Sequence, residues 1–181
     1  ELTVHYLVEK VSLSVTYSIR NKDDKDMYFS VGAHPAFAVP LVDGTTYTDY
    51  FLDFGKNLTL ARWPISSDGL MEKKSILFLT DKRRLSLCKE LFYEDALVFK
   101  NPATTRISLA SHATEHGLAL DFPGFPYLGI WAARNADFVC IEPWCGIADP
   151  IDSNGILHEK EGINRLAPGG LFERNWKIDL F

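Results

Sequence analysis

From Val11 to Arg20 the chain alternates without a break, with Val11, Leu13, Val15, Tyr17 and Ile19 set against Ser12, Ser14, Thr16, Ser18 and Arg20. A period of two puts each set on its own face of an extended backbone. The segment therefore predicts a half-buried strand, ended by the turn cluster Asn21-Lys22-Asp23-Asp24. Further strands are predicted at Tyr28–Val31, Tyr50–Phe54, Ile76–Leu79, Leu97–Lys100, Arg106–Ala110, Leu118–Phe122, Leu128–Trp131, Phe138–Ile141 and Trp176–Leu180. Most are rich in β-branched or aromatic residues and are separated by Gly, Pro, Asn or Asp, the residues that make turns. No long stretch carries a 3.6-residue period, so few or no substantial helices are expected. Many short strands at close spacing imply an all-β chain folded as an antiparallel sandwich or barrel. Asp152–Gly170 carries Gly155, Gly162, Pro168, Gly169 and Gly170 and reads as a long irregular loop before the last strand. No repeat or linker divides the chain, so residues 1–181 are read as one domain.

Composition narrows the function classes. A net charge of −5 leaves no electrostatic footprint for nucleic acid. The short basic run Lys82-Arg83-Arg84 reads as a solvated turn. No apolar run reaches the roughly 18 residues of a membrane span, and no signal peptide opens the chain. Three cysteines, Cys88, Cys140 and Cys145, cannot form a closed disulfide set and lack metal-site spacing. Cys140, within Phe138-Val139-Cys140-Ile141, reads as a small core hydrophobe. A reducing cytoplasm is the expected compartment, and the Asn57-Leu58-Thr59 sequon is read as coincidental there. The chain opens on Glu1 and enters a strand pattern almost at once, as the C-terminal portion of something longer would.

The candidate chemistry is acid/base. His34 sits in Gly32-Ala33-His34-Pro35-Ala36-Phe37, where Pro35 restricts the backbone of His34 to extended geometry. An unperturbed imidazole titrates near 6.5 and suits proton transfer at neutral pH; the alternative is a structural histidine bonded to a carbonyl. Glu142 follows an apolar run in Glu142-Pro143-Trp144-Cys145-Gly146-Ile147-Ala148-Asp149-Pro150. A carboxylate at the end of a buried strand is paired, hydrogen-bonded or raised in pKa, so Glu142 is either a proton acceptor or half of a structural ion pair with an arginine. Asp95, beside Glu94 at the mouth of the Leu97 strand, could bind vicinal sugar hydroxyls or could simply be a solvated strand end. Adjacent strand residues face opposite ways, so one of Glu94 and Asp95 is expected to reach a site. Trp144 offers an aromatic face of the kind on which sugars stack; Trp131, after Phe122-Pro123-Gly124-Phe125-Pro126-Tyr127, could be such a platform or core filler. His112-Ala113-Thr114-Glu115-His116 formally matches an inverted zinc-protease motif, but that motif needs a helix, and here a strand connection is expected. No G-x-S-x-G, Walker A or GxGxxG fingerprint occurs.

The order of strand, Gly-Ala-His-Pro-Ala-Phe, acidic strand mouth, Phe-Pro-Tyr-Leu-Gly-Ile-Trp, Phe-Val-Cys-Ile-Glu-Pro-Trp, Lys160-Glu161-Gly162-Ile163 and Leu166-Ala167-Pro168-Gly169 resembles the aldose 1-epimerase (galactose mutarotase-like) family. The similarity is nearest the LacX-like branch and spans essentially the whole chain, with the His-Pro and Glu-Pro-Trp stretches as its specific part. It implies an antiparallel β-supersandwich lacking part of its N-terminal sheet, and a cofactor-free, metal-free isomerase acting on a small-molecule aldose. It also implies roles: His34 protonates the ring oxygen, Glu142 takes the C1 hydroxyl proton, and Asp95, Trp131 and Trp144 bind the sugar. In the family an upstream segment adds strands and an Arg and a His at the site; His5 has no such match. The reading from a different class is a non-catalytic carbohydrate-binding sandwich.

Overall fold

The computed structural model describes residues 1–181 and contains fourteen strands, three short 3-10 turns and no α-helix. The strands are β1 (Leu2–Glu9), β2 (Ser12–Arg20), β3 (Met27–Phe29), β4 (Val31–Gly32), β5 (Ala36–Ala38), β6 (Tyr50–Arg62) and β7 (Ile76–Ser86). They continue with β8 (Leu97–Lys100), β9 (Arg106–Ser111), β10 (Leu118–Asp121), β11 (Tyr127–Trp131), β12 (Phe138–Cys145), β13 (Asn164–Leu166) and β14 (Leu171–Leu180). A seven-stranded sheet runs in the order β1-β2-β14-β10-β9-β6-β7; a smaller sheet runs β4-β12-β11-β8, with β5 also paired to β12. All pairings within these sheets are antiparallel.

The two sheets face each other across one contiguous core. Val15, Leu52, Ile107, Leu109 and Leu120 come from the larger sheet; Leu97, Phe99, Leu128, Ile130, Val139 and Ile141 come from the smaller. Apolar burial from two alternating faces is what drives such a sandwich together. The alternation of Val11–Arg20 is realised in β2, where Val15 and Ile19 are buried and Leu13 and Tyr17 pack against the core.

Four expectations are corrected. Lys82-Arg83-Arg84 is not a turn but lies inside β7, because Asp53 of β6 faces it: Nε of Arg83 and Nε of Arg84 donate to its two carboxylate oxygens at 2.8 and 3.0 Å. Burial alone would raise the Asp53 carboxyl, yet hydrogen bonds from Arg83, Gly55 and Arg84 hold it below the ordinary range. Tyr28–Val31 divides into β3 and β4, which belong to different sheets. Asp152–Gly170 is not wholly irregular: β13 pairs with β3, and Leu157–Glu159 forms a 3-10 turn. The strand at Phe138 runs on to Cys145, since Pro143 loses a donor but keeps its carbonyl in the ladder, accepting from Ala33 N–H at 3.0 Å. His112–His116 does lie in the connection between the antiparallel neighbours β9 and β10, where no helix could align its imidazoles.

Candidate active site

His34 and Glu142 are brought together by strand register. Gly32 of β4 lies opposite Trp144 and Ala36 of β5 opposite Cys140, so the register runs through without a slip and places His34 opposite Glu142. Ala33 N–H bonds to Pro143 O at 3.0 Å and Ile141 N–H to Pro35 O at 3.4 Å. Each of these pairs would hold two ladder bonds, and proline removes the second. His34 and Glu142 therefore occupy the non-hydrogen-bonded position between them, where opposed side chains approach most closely. Nδ1 of His34 lies 3.5 Å from Oε1 of Glu142.

The two groups have contrasting surroundings. Glu142 is only 4 % exposed, whereas the His34 side chain is 60 % exposed and reaches solvent. Burial pushes the Glu142 carboxyl above its ordinary range, against the opposing pull of His34 and of the Trp144 side chain. A carboxylate held this way is a stronger base than one in water, and its partner is open to solvent.

Period-two alternation sorts β12. Val139, Ile141 and Cys145 enter the core between the sheets, while Cys140, Glu142 and Trp144 point to the other face. Cys140 is buried as expected, but beside Glu142 rather than in the main core; burial and then the Glu142 charge push its thiol up to about 12. Trp131, opposite Cys140 in β11, meets the His34 ring edge-to-face at a centroid distance of 5.7 Å.

Glycines on both flanking strands let the Trp144 indole lie across the sheet. A Cβ on Gly32 would sit 2.7 Å from Trp144 Cδ1, and one on Gly129, opposite Glu142, would sit 2.5 Å from Trp144 Cζ2. Gly129→Ala is therefore expected to displace the indole and to cost about 1–3 kcal/mol, the usual range for overpacking. Tryptophan emission and urea unfolding would check this; an unchanged emission spectrum with unchanged stability would contradict it.

Trp144 also borders the largest cavity, about 610 Å³, whose lining includes Asp95, Val98, Met71, Ile147 and Lys160. His34 and Glu142 do not line it. The cavity instead continues the same sheet face, beyond Trp144, from the acid/base pair. Asp95 faces it, accepting a hydrogen bond from Ala96 N–H at 2.6 Å, while Glu94 points outward to Arg62. One acid of the pair reaches the cavity, although both lie in a bend before β8 and not on a regular strand, so the bend and not strand alternation separates them. Lys160, ion-paired to Asp149 at 2.7 Å, also lines the cavity; its sequence context gives it no role, because nothing local ties a loop lysine to Asp95 far upstream. The set His34, Cys140 and Glu142 has nitrogen, sulfur and oxygen donors within 4.8 Å of one another, so these residues could hold a metal.

The fold and site together define an antiparallel β-sandwich that presents an opposed imidazole–carboxylate pair beside an aromatic-floored cleft. The aldose 1-epimerase family model matches residues 1–161, and the chain belongs to that family. Among curated relatives it is similar to the plasmid and chromosomal LacX proteins of Lactococcus lactis subsp. lactis, at 30% identity over 99% of this chain and 62% of theirs. Among solved structures it resembles a galactose mutarotase related enzyme from Lactobacillus acidophilus, with a TM-score of 0.89 and 31% identity over 99% of this chain and 61% of that one. A galactose mutarotase-like protein from Lactobacillus casei gives a TM-score of 0.88 and 30% identity, covering 99% and 63%. The chain thus spans about three-fifths of the length of these relatives. No helix is long and apolar enough to cross a membrane.

Proposed function

We propose that this chain carries the acid/base pair of an aldose 1-epimerase, interconverting the α and β anomers of an aldose. The observation that carries the reading is the unbroken register that sets buried Glu142 against exposed His34 at 3.5 Å. Glu142, as carboxylate, takes the O1 proton; the C1–O5 bond breaks as C1–O1 becomes a carbonyl, and O5 receives a proton from the His34 imidazolium. Rotation about C1–C2 exposes the other carbonyl face, and closure returns both protons. No electrons are transferred and no cofactor is consumed. Acid and base catalysis by such groups each contribute on the order of 10²–10⁴-fold. Trp144 forms an apolar floor for a sugar face, Trp131 sets the His34 ring, and Asp95 binds hydroxyl groups from the cavity wall. Three free thiols fit a reducing, cytoplasmic setting for a single-domain chain.

The test is anomer exchange of glucose and galactose followed by NMR saturation transfer. His34→Asn is expected to reduce exchange by about 10²-fold or more with little loss of stability, because the ring is largely exposed. Asp95→Asn is expected to weaken saturation by sugar more than it slows exchange at saturating sugar. Exchange no faster than buffer, with sugar still bound, would identify a carbohydrate-binding module instead.

A further inference from the structure

A carboxylate and an imidazole suffice for proton transfer, so the mechanism leaves Cys140 without a part. Its position is nevertheless specific: it precedes Glu142 by two residues on the same strand face, and its sulfur lies within 4.8 Å of the donor atoms of both Glu142 and His34. From this geometry we infer that His34, Cys140 and Glu142 form a binding site for a thiophilic divalent cation of the zinc class, and that the bound cation occludes the acid/base pair.

The donor set selects the ion. Sulfur, imidazole nitrogen and a single carboxylate oxygen suit zinc, whereas magnesium and calcium require a shell of oxygens. Zinc holds such donors at about 2.0–2.3 Å in a tetrahedron, which puts neighbouring donors roughly 3.3–3.8 Å apart. The His34–Glu142 contact already meets that separation at 3.5 Å. The remaining adjustment is of the order of 1 Å. His34, whose side chain projects into solvent from the short link between β4 and β5, is free to move toward the other two donors. The other two ligands stand two residues apart on one strand in the middle of a sheet, so both face the same side before any ion arrives. The exposed side of His34 leaves the fourth position to water. Binding forms a sulfur–metal bond in place of the Cys140 S–H bond, and the released proton passes to buffer; the charge of a coordinated cation drives that deprotonation.

Occupancy has a functional consequence. A carboxylate and an imidazole whose lone pairs are held by zinc can neither take the O1 proton nor supply one to O5, so bound zinc inhibits turnover. That second half rests on the proposed epimerase reading, whereas binding itself does not.

The experiment titrates the chain with Zn²⁺ by calorimetry and with Co²⁺ by absorbance, then measures anomer exchange with and without Zn²⁺. Wild type is expected to bind one equivalent and to show a thiolate-to-cobalt charge-transfer band. Cys140→Ser is expected to lose that band and to weaken Zn²⁺ binding by roughly tenfold or more. His34→Ala alters an exposed side chain, guards against misfolding of the buried cysteine variant, and is expected to weaken Zn²⁺ binding to a similar degree. A band that persists in Cys140→Ser, or Zn²⁺ binding unaffected by both substitutions, would overturn the site. Stoichiometric Zn²⁺ binding with undiminished exchange would overturn the occlusion. A chain that fails to exchange anomers even without metal counts against the epimerase reading, while the cobalt band still decides the site.

Discussion

Glu142→Gln is expected to lower anomer exchange by about 10²–10⁴-fold, the range for loss of a general base, while leaving the fold as stable as before or more so. The amide keeps the shape of the carboxyl but can neither ionise nor accept the O1 proton. Because Glu142 is buried and its nearest ionisable partner is a largely exposed histidine, its charge is held at a cost that glutamine avoids. At neutral pH the variant should therefore melt at or above the temperature of wild type.

The pH dependence follows from the same group. The Glu142 carboxyl is raised in the folded chain above its ordinary value of 4.5, so over the window between the two values the native state binds more protons than the unfolded one. The contribution of this group to stability is therefore fully present below about 4.5 and is lost as pH rises through the raised value. Glu142→Gln lacks that slope. Thermal unfolding of the two proteins from pH 4 to pH 8 should show the variant gaining on wild type as pH increases. A variant less stable than wild type at every pH would show that Glu142 is a structural ion-pair partner, the alternative left open by its sequence context.

Phe99→Ala is expected to destabilise the chain by about 3–5 kcal/mol, a large part of the roughly 5–15 kcal/mol that holds a domain together. Phe99 is 1 % exposed on β8 and packs against Phe78 at a ring-centroid distance of 5.8 Å. Removing the ring leaves a cavity at the sheet–sheet interface that rigid strands collapse into poorly. The neighbouring Val98 faces the 610 Å³ cavity, and Asp95 lies just before the strand. A loosened β8 should therefore weaken sugar binding as well as stability, whereas Phe99→Leu should cost much less of both. Denaturant unfolding checks the first effect, and a loss under about 1 kcal/mol would show that this part of the core is not closely packed.

Legibility from sequence differed between elements for physical reasons. β2 was readable because one of its faces is buried and the other is not, so its polarity alternates. β12 was harder, because both of its faces are covered: Val139 and Ile141 by the core, Cys140 and Glu142 by the site. A strand buried on both sides shows an unbroken apolar run, from which the layer holding Cys140 cannot be read without the register. The full extent of β7 was hidden because Lys82-Arg83-Arg84 has no apolar face; Asp53 on the facing strand pairs with both arginines and makes that basic run compatible with a sheet.

Sequence alone determined the all-β class, the expectation of a sandwich or barrel, the candidate acid and base with their flanking prolines, and the reading of His112–His116 as a strand connection. All of these depend on local backbone preference and side-chain period, which act within a few residues. Tertiary structure decided the register that opposes His34 to Glu142, the glycine bed under Trp144, the admission of Asp95 and Lys160 to one cavity, and the approach of Cys140 to the acid/base pair. These are contacts between segments up to about a hundred residues apart. Their geometry is set by which strands pair and by how two sheets bury a common core, and no local stretch of the chain encodes either.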